Sequence, residues 1–260
     1  MVRPPGGYAG RESPCRASKP GCGGHVRHRG HRGYTVRRHD ARGPAMSSSD
    51  RTRVKALLDT YGRTYADEAG IRLKDTPQPL YQLLVLSCLL SARIQAGIAV
   101  AASHALSKAG MRTARRMKDA TWQQRVDALG EGGYRRYDER TATQLGDGAE
   151  LLLDKYGGDL RRMRDAADGD TGRLRSLLRE VPGLGPAGTD IFLREAQAVW
   201  TDLAPYLDAK AMQGAERVGL PSSPDALLKA AGKTDPAVLA AALVRAALDK
   251  KGAEEIRKAG

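Results

Sequence analysis

The segment Val181-Pro-Gly-Leu-Gly-Pro-Ala-Gly-Thr-Asp190 separates two runs of helical periodicity, and it decides the fold. The residues before it, 174–180, place leucines on one face of a helix. Pro182 ends that helix because it has no amide hydrogen to donate. Pro186 suits the first turn of the next helix, and the two glycines between these prolines permit a tight turn. The segment therefore predicts two helices joined by a short hairpin.

The same glycines match other patterns. Gly183 to Gly188 fit the G-x-G-x-x-G spacing of dinucleotide-binding loops, but that motif needs a preceding strand and here the preceding run is helical. A plain helix stop is a second alternative. Leu184 favours the hairpin, because an apolar side chain between two glycines can pack inward and lock the helices together. The hairpin amides then face outward at a helix N-terminus, which is an arrangement that binds phosphate oxygens.

The rest of the chain from Asp50 onward also has helical periodicity, with Asp50 as the predicted cap of the first helix. No run alternates with period two for long enough to predict a strand. Aromatic content is 5% with a single Phe, so we expect a core of Leu, Val and Ala. The sequence predicts an all-α fold of about ten helices. They cover residues 51–61, 80–92, 96–109, 122–129, 137–156, 171–180, 187–200, 209–217, 224–231 and 236–250.

The first 46 residues differ from the rest of the chain. The formal net charge is +13, and residues 1–45 hold +8 of it among many Gly, Pro and His residues. We predict a disordered basic tail, and the charge suggests a polyanionic partner. Cys15 and Cys22 with three nearby histidines suggest zinc as an alternative, but their spacing does not match the usual ligand pairs. A further alternative is that translation starts at Met46.

The cysteine and hydropathy patterns bear on location. Three cysteines form no disulfide framework, and Cys88 lies in an apolar run typical of a buried residue. No stretch reaches the roughly 20 apolar residues that a membrane helix needs. The basic N-terminus lacks the apolar core of a secretory signal. We expect a cytoplasmic protein that has no membrane contact.

Several segments together resemble the helix-hairpin-helix DNA glycosylase superfamily, of which endonuclease III is the familiar member. The similarity covers about residues 50–220, with order and spacing preserved. The segments are Leu83-Leu-Val-Leu-Ser-Cys-Leu-Leu-Ser-Ala-Arg93, Gly132-Gly-Tyr-Arg-Arg-Tyr-Asp-Glu-Arg-Thr-Ala142, Val181-Pro-Gly-Leu-Gly185 and Leu207-Asp208.

The resemblance implies a fold of two helical domains with the active site in the cleft between them. Residues 78–199 would form the central domain, and 47–77 plus 200–260 the second. The family excises damaged or mispaired bases from DNA. The implied partner is duplex DNA, bound by a monomer associated with the nucleoid.

The resemblance also implies site residues. The hairpin would contact the DNA backbone through Gly183, Leu184, Gly185, Ala187 and Gly188. Arg93 would fill the gap left by a base flipped out of the stack, where bifunctional members carry a glutamine. A solvated helix end is the alternative for this arginine.

Asp208 corresponds to the family's essential aspartate. Its carboxylate would stabilise positive charge on the sugar and orient the attacking water. The same residue is also the predicted N-cap of the helix that follows it. Asp190 and Asp202 are competing carboxylates. We prefer Asp208 because Tyr206-Leu207 would give it an apolar wall.

The pattern is broken at two points. Bifunctional members carry a lysine nucleophile where this chain has Ala187, and Lys210 is the nearest replacement. No cysteine follows Cys88, which excludes the family's four-cysteine iron–sulfur cluster, so we expect no metal and no cofactor. The sequence therefore predicts a monofunctional glycosylase that uses Asp208. The alternatives are a DNA-binding relative without catalysis and a nucleic-acid-binding protein that acts mainly through its tail. The base lesion is left open.

Overall fold

The computed structural model describes residues 47–260, and every regular element among them is helical, so the all-α prediction is confirmed. One turn of 3-10 helix lies at Thr201–Leu203. The α-helices are α1 Ser48–Tyr61, α2 Tyr65–Glu68, α3 Pro77–Leu90, α4 Ala96–Lys108, α5 Ala114–Asp119, α6 Trp122–Glu131, α7 Asp138–Tyr156, α8 Leu160–Ala167, α9 Thr171–Arg179, α10 Pro186–Ala196, α11 Ala209–Arg217, α12 Pro224–Ala231, α13 Pro236–Leu248 and α14 Lys250–Lys258.

Helix caps explain where the structure departs from the predicted bounds. Ser47, and not Asp50, caps α1; Asp50 sits three residues inside and completes a capping box with it. The last predicted helix, 236–250, ends at Leu248, because Asp249 leaves the helical conformation and caps a further helix, α14, through Gly252 N. Helices α2, α5, α8 and α14 were not predicted; α2 and α5 have only four and six residues, too few to show a helical period.

The buried side chains form two hydrophobic clusters. The first is built from α2 to α10 and holds the large residues, among them Phe192 and Trp200, whose rings meet edge to face at 5.6 Å. The second is built from α1 and α11 to α14 and is rich in alanine. In the second cluster, a Cβ on Gly214 would lie 1.8 Å from the Leu243 carbonyl oxygen, so α11 and α13 approach closely. Helix α10 contacts both α3 and α13, and so joins the two clusters.

Several predictions concern residues or properties beyond this description. The basic tail, its zinc alternative and the Met46 start lie outside residues 47–260. Within that range, no group of His, Cys, Asp or Glu is arranged to hold a metal ion. None of the helices described is both long enough and apolar enough to cross a bilayer. The division into residues 78–199 and two flanking segments stays a prediction.

Candidate nucleic-acid interface and adjacent cleft

The hairpin between α9 and α10 combines one left-handed residue with one buried side chain. Gly183 has φ of +84°, which side chains other than glycine rarely adopt. Leu184 is only 1% exposed and its amide donates to the Val181 carbonyl at 3.0 Å. The inward packing of Leu184 predicted from the sequence is therefore confirmed. Its side chain belongs to the core and not to the surface.

The first turn of α10 carries the exposed part of the hairpin. Pro186 is its first residue, as predicted, and the amides of Ala187 and Gly188 have no acceptor among residues 47–260. Gly185 is exposed and open on all sides. Gly188 is buried, and a Cβ there would lie 2.9 Å from Leu184 Cδ1. Gly188 thus permits close packing of the hairpin, while the outward-facing backbone begins at Gly185.

A groove of about 660 Å³ runs beside the hairpin, and we call it the hairpin groove. Three exposed arginines line it together with Gly183 and Gly185: Arg93, Arg140 and Arg179. None of the three forms an ion pair with another described residue, and no carboxylate lines the groove. This gives the groove a concentrated positive charge.

Two of these arginines were not predicted as site residues. Arg140 lies within the quoted segment Gly132–Ala142, and Arg179 is the last residue of α9. Both could have been found by asking which basic residues flank the hairpin. Arg93 was predicted at the end of a helix, but α3 ends at Leu90, so Arg93 lies in the loop to α4.

The floor of the hairpin groove is less polar than its rim. Tyr137 lines it, with the Arg136 guanidinium 5.3 Å from the centre of its ring. Cys88 also lines it, and burial raises the pKa of its thiol to about 12. At neutral pH Cys88 is therefore a protonated thiol and a poor nucleophile.

A second concave site, the α10–α11 cleft, lies on the other side of the α3–α4 loop. Its volume is about 1280 Å³, and Ala92 lines both sites. The cleft holds Asp208, Lys210 and Ala187. Its apolar walls come from both hydrophobic clusters and include Leu90, Ile94, Ile191, Met212, Val244 and Leu248. Leu248 is 60% exposed, so part of this apolar wall faces solvent.

Asp208 lies at the N-terminus of α11 with both carboxylate oxygens engaged. Oδ1 accepts from the Ala211 amide at 3.1 Å, which makes Asp208 the N-cap of α11, as predicted. Oδ2 accepts from the Arg194 guanidinium at 2.6 Å. The two side chains are 11% and 9% exposed, so the pair is largely withdrawn from water. Sequence reasoning missed this arginine, because Arg194 lies 14 residues earlier, on α10.

Gln197 fixes the chain that leads into Asp208. Its side-chain oxygen accepts from the Tyr206 amide at 2.8 Å, and its nitrogen donates to the Tyr206 carbonyl at 3.1 Å. Gln197 is 1% exposed. These paired bonds hold the segment before α11 against the end of α10. Gln197 therefore positions Asp208 beside Arg194.

The apolar wall predicted from Tyr206-Leu207 is wrong. Neither residue lines the cleft, because Tyr206 turns toward Asp190 and Leu207 packs on the second cluster. The Tyr206 hydroxyl donates to Asp190 Oδ1 at 2.6 Å, and Asp190 also pairs with Arg175. Burial raises the pKa of Tyr206, with the hydrogen bond to Asp190 as the next cause.

The remaining predicted groups are distributed as follows. Asp190 lines the cleft with Asp208, whereas Asp202 is exposed, pairs with Arg164 and does not line it. Lys210 lines the cleft and donates to Gln213 at 2.9 Å. The structure thus brings two of the three candidate carboxylates together.

Few aromatic rings reach either site. Tyr81 and Phe192 are core residues, at 2% and 0% exposed. Trp122 is 42% exposed but lines neither site. Tyr65 lines the cleft, and the Arg245 guanidinium covers its ring at 4.1 Å. The cleft therefore offers apolar side chains for contact with a ligand and one ring already stacked on a cation.

The chain was compared with protein-family models, curated proteins and solved structures, and none of them matches it. The all-helical architecture therefore rests on the structure alone. The resemblance to the glycosylase superfamily stays a prediction from the quoted segments.

Proposed function

We propose that this protein binds duplex DNA along the hairpin groove and hydrolyses the N-glycosidic bond of a damaged base in the α10–α11 cleft. The observation that carries the proposal is the placement of both sites on one helix. Gly185, the N-cap residue of α10, lines the groove, and Ala187, Ile191 and Arg194 of the same helix line the cleft with Asp208. A phosphate-binding surface thus adjoins an enclosed carboxylate.

The chemistry fits that arrangement. Three arginines without an ion pair among the described residues, together with the backbone at Gly183 and Gly185, would contact phosphates independently of base sequence. A base turned out of the duplex needs an apolar pocket, and the cleft walls provide one. Asp208 would stabilise positive charge that develops on the sugar as the bond breaks. Ala187 lacks a nucleophile, so the reaction we propose uses water.

A lesion-panel assay tests the enzyme proposal. Duplexes carrying alkylated, oxidised, deaminated or mispaired bases are incubated with the protein, and base release is measured. We expect release from at least one substrate, reduced about 100-fold or more by Asp208→Asn. Asparagine is an equally good N-cap, so this variant keeps the start of α11 intact. Absence of release from every duplex would overturn the assignment as an enzyme.

Matched controls separate chemistry from folding and from binding. Asp190→Asn removes a second carboxylate of the cleft and should leave base release within a few-fold of the wild type. Both variants should bind duplex DNA as the wild type does. Borohydride reduction on abasic DNA should trap no covalent adduct, because the proposed reaction uses no amine nucleophile. Deletion of residues 1–45 should leave lesion-specific binding in place, whereas its loss would favour a protein that acts through the tail.

The Asp208–Arg194 pair favours a second candidate function, a DNA-binding protein without catalysis. A guanidinium 2.6 Å from the carboxylate cancels much of the negative charge that would stabilise a cationic sugar. Under this function, duplex binding depends on Arg93, Arg140 and Arg179, and no base is released from any duplex. The lesion panel therefore separates the two candidates directly.

A further inference from the structure

A third concave surface lies at the opposite end of α3 from the hairpin groove. It has a volume of about 630 Å³ and lies between the segment that follows α2, the first turns of α3 and the last turn of α4. From Gln78, which lines it, to Leu90 at the end of α3, the helix rises about 18 Å. We call this surface the α3–α4 groove. It is separate from both sites described above.

The lining of the α3–α4 groove is cationic. Arg72, Lys74, Lys108 and Arg112 line it together with His104, and no carboxylate does. Arg72 and Lys74 form no ion pair with any residue in the range 47–260. Asp75 is the adjacent acid, but it accepts from Trp200 Nε1 at 2.9 Å and does not line the groove. The positive charge of the groove is therefore largely uncompensated.

Hydrogen bonds in the groove leave donors available. Arg112 Nε donates to the Ser107 carbonyl at 2.8 Å, which anchors the guanidinium, and its terminal nitrogens have no acceptor among residues 47–260. Gln82 Nε2 donates to Ser107 Oγ at 3.1 Å and fixes the wall between α3 and α4. Lys108 pairs with Glu131 at 3.0 Å, but both side chains are well exposed, and such pairs are weak and easily exchanged.

Three exposed lysines elsewhere in the described chain have carboxylate partners and provide a comparison. Lys55, Lys118 and Lys258 each lie within 2.8 Å of a carboxylate of a neighbouring turn or helix. A concave surface that gathers several cations without matching carboxylates concentrates positive potential. Guanidinium groups bind phosphate oxygens in a bidentate manner, and ammonium groups add point charges.

We propose that the α3–α4 groove is a second phosphate-binding site, which takes the phosphate chain of a free polyphosphate ligand or the backbone phosphates of a nucleic acid. The guanidinium groups of Arg72 and Arg112 would donate hydrogen bonds to non-bridging phosphate oxygens. Lys74 and Lys108 would neutralise the remaining charge. The proposal does not depend on the glycosylase assignment, because it shares no residue with the hairpin groove or the cleft.

Calorimetric titration of the full chain with inorganic triphosphate at physiological ionic strength tests the proposal. We expect one saturable site that the triple variant Arg72→Gln/Lys74→Gln/Arg112→Gln weakens at least about tenfold. The matched control, Lys55→Gln/Lys118→Gln/Lys258→Gln, removes the same charge from lysines with carboxylate partners and should bind like the wild type. Lys74→Glu alone changes one exposed side chain and should also weaken binding.

The outcomes are distinct. If the wild type shows no saturable binding, or if the control variant loses affinity as much as the groove variant, the site does not exist. A parallel titration with undamaged duplex DNA identifies the source of the phosphate. Weaker duplex binding by the groove variant assigns the groove to nucleic acid, and unchanged duplex binding assigns it to a free polyphosphate. Failure of the lesion panel would leave these results unaffected.

Discussion

The hairpin groove and the α10–α11 cleft adjoin the same helix but differ in whether their charged side chains have partners within the fold. In the groove, three exposed arginines have no carboxylate partner among the described residues. In the cleft, Asp208 pairs with Arg194 and Asp190 pairs with Arg175, so these two carboxylates have cationic partners within the fold. The groove therefore keeps positive charge that no described carboxylate balances, whereas the cleft holds Asp208 and Asp190 in place through arginines.

The largest expected difference between the two regions is how tightly their glycines are packed. Gly214 lies behind the cleft, where a Cβ would meet the Leu243 backbone at 1.8 Å, whereas Gly185 beside the groove has open space around it. We expect Gly214→Ala to lower the free energy of unfolding by roughly 3 kcal/mol or more. Gly185→Ala should leave it unchanged or raise it by up to about 1 kcal/mol. Urea denaturation of both variants checks this, and equal losses would contradict the comparison.

The charge pair of the cleft should be nearly as important for stability. Asp208→Ala removes the α11 cap and leaves Arg194 without its partner in a mostly buried position, so we expect a loss of about 3 kcal/mol. Asp59→Ala breaks the exposed pair with Lys55 and should cost about 0.5 kcal/mol or less. Thermal and chemical unfolding of the two variants measures the contrast. Comparable losses would show that Asp208 is not structurally held.

The cations of the groove should matter for binding and not for folding. Replacing Arg93, Arg140 and Arg179 together by glutamine should weaken duplex binding by on the order of 100-fold at low salt. The slope of log affinity against log salt should fall by about 0.9 for each lost phosphate contact. Fluorescence anisotropy over a salt series measures both. An unchanged slope, with intact folding, would remove the groove from the DNA interface.

A smaller effect concerns pH and the wall of the cleft. Burial raises the pKa of Glu195, although the Ala66 and Tyr65 amides, each 2.9 Å away, oppose this. Because the folded pKa is the higher one, this carboxyl stabilises the fold most below its unfolded pKa of about 4.3. That contribution is lost as pH rises through the folded pKa. Glu195→Gln lacks this dependence, so its stability relative to the wild type should improve with rising pH.

A pH series of urea denaturation on both proteins tests the sign of that difference. The matched control is Glu254→Gln, which alters an exposed carboxyl whose pKa is lowered by the Lys258 hydrogen bond. Its stability relative to the wild type should change with pH in the opposite direction. If Glu195→Gln instead tracks this control, the buried carboxyl does not have a raised pKa.

The sequence predicted the fold class because helical periodicity is local. The hairpin followed from two prolines and the glycines between them, and even the burial of Leu184 could be anticipated. The short helices could not be predicted in the same way. The start of α2, for example, is stabilised by the distant Glu195, whose carboxylate accepts hydrogen bonds from the first two amides of α2. The period of a four-residue run cannot carry that information.

The candidate site was only half predictable for a similar reason. Asp208 and the hairpin are marked by their neighbours in sequence, and the structure places them on adjoining surfaces. Three other features of the cleft depend on which helices pack against each other in the fold. They are the pairing of Arg194 with Asp208, the hydrogen bonds between Gln197 and Tyr206, and the apolar wall from Met212 and Val244. The apolar wall expected at Tyr206 is absent from the cleft, because the Tyr206 hydroxyl donates a hydrogen bond to Asp190 of α10. Long-range contacts of this kind leave no pattern in a single sequence.

Helix α10 fixes the distance between the hairpin and the part of the α10–α11 cleft that holds Arg194. Its 11 residues rise about 16 Å, with the hairpin amides at one end and Arg194 near the other. Insertion of a single residue in the middle would turn one end against the other by about 100°. An insertion or deletion within α10 would therefore change the distance and the orientation between the two sites together. Under the proposed function, the length of this one helix would decide which part of a bound strand enters the cleft when its phosphates contact the hairpin.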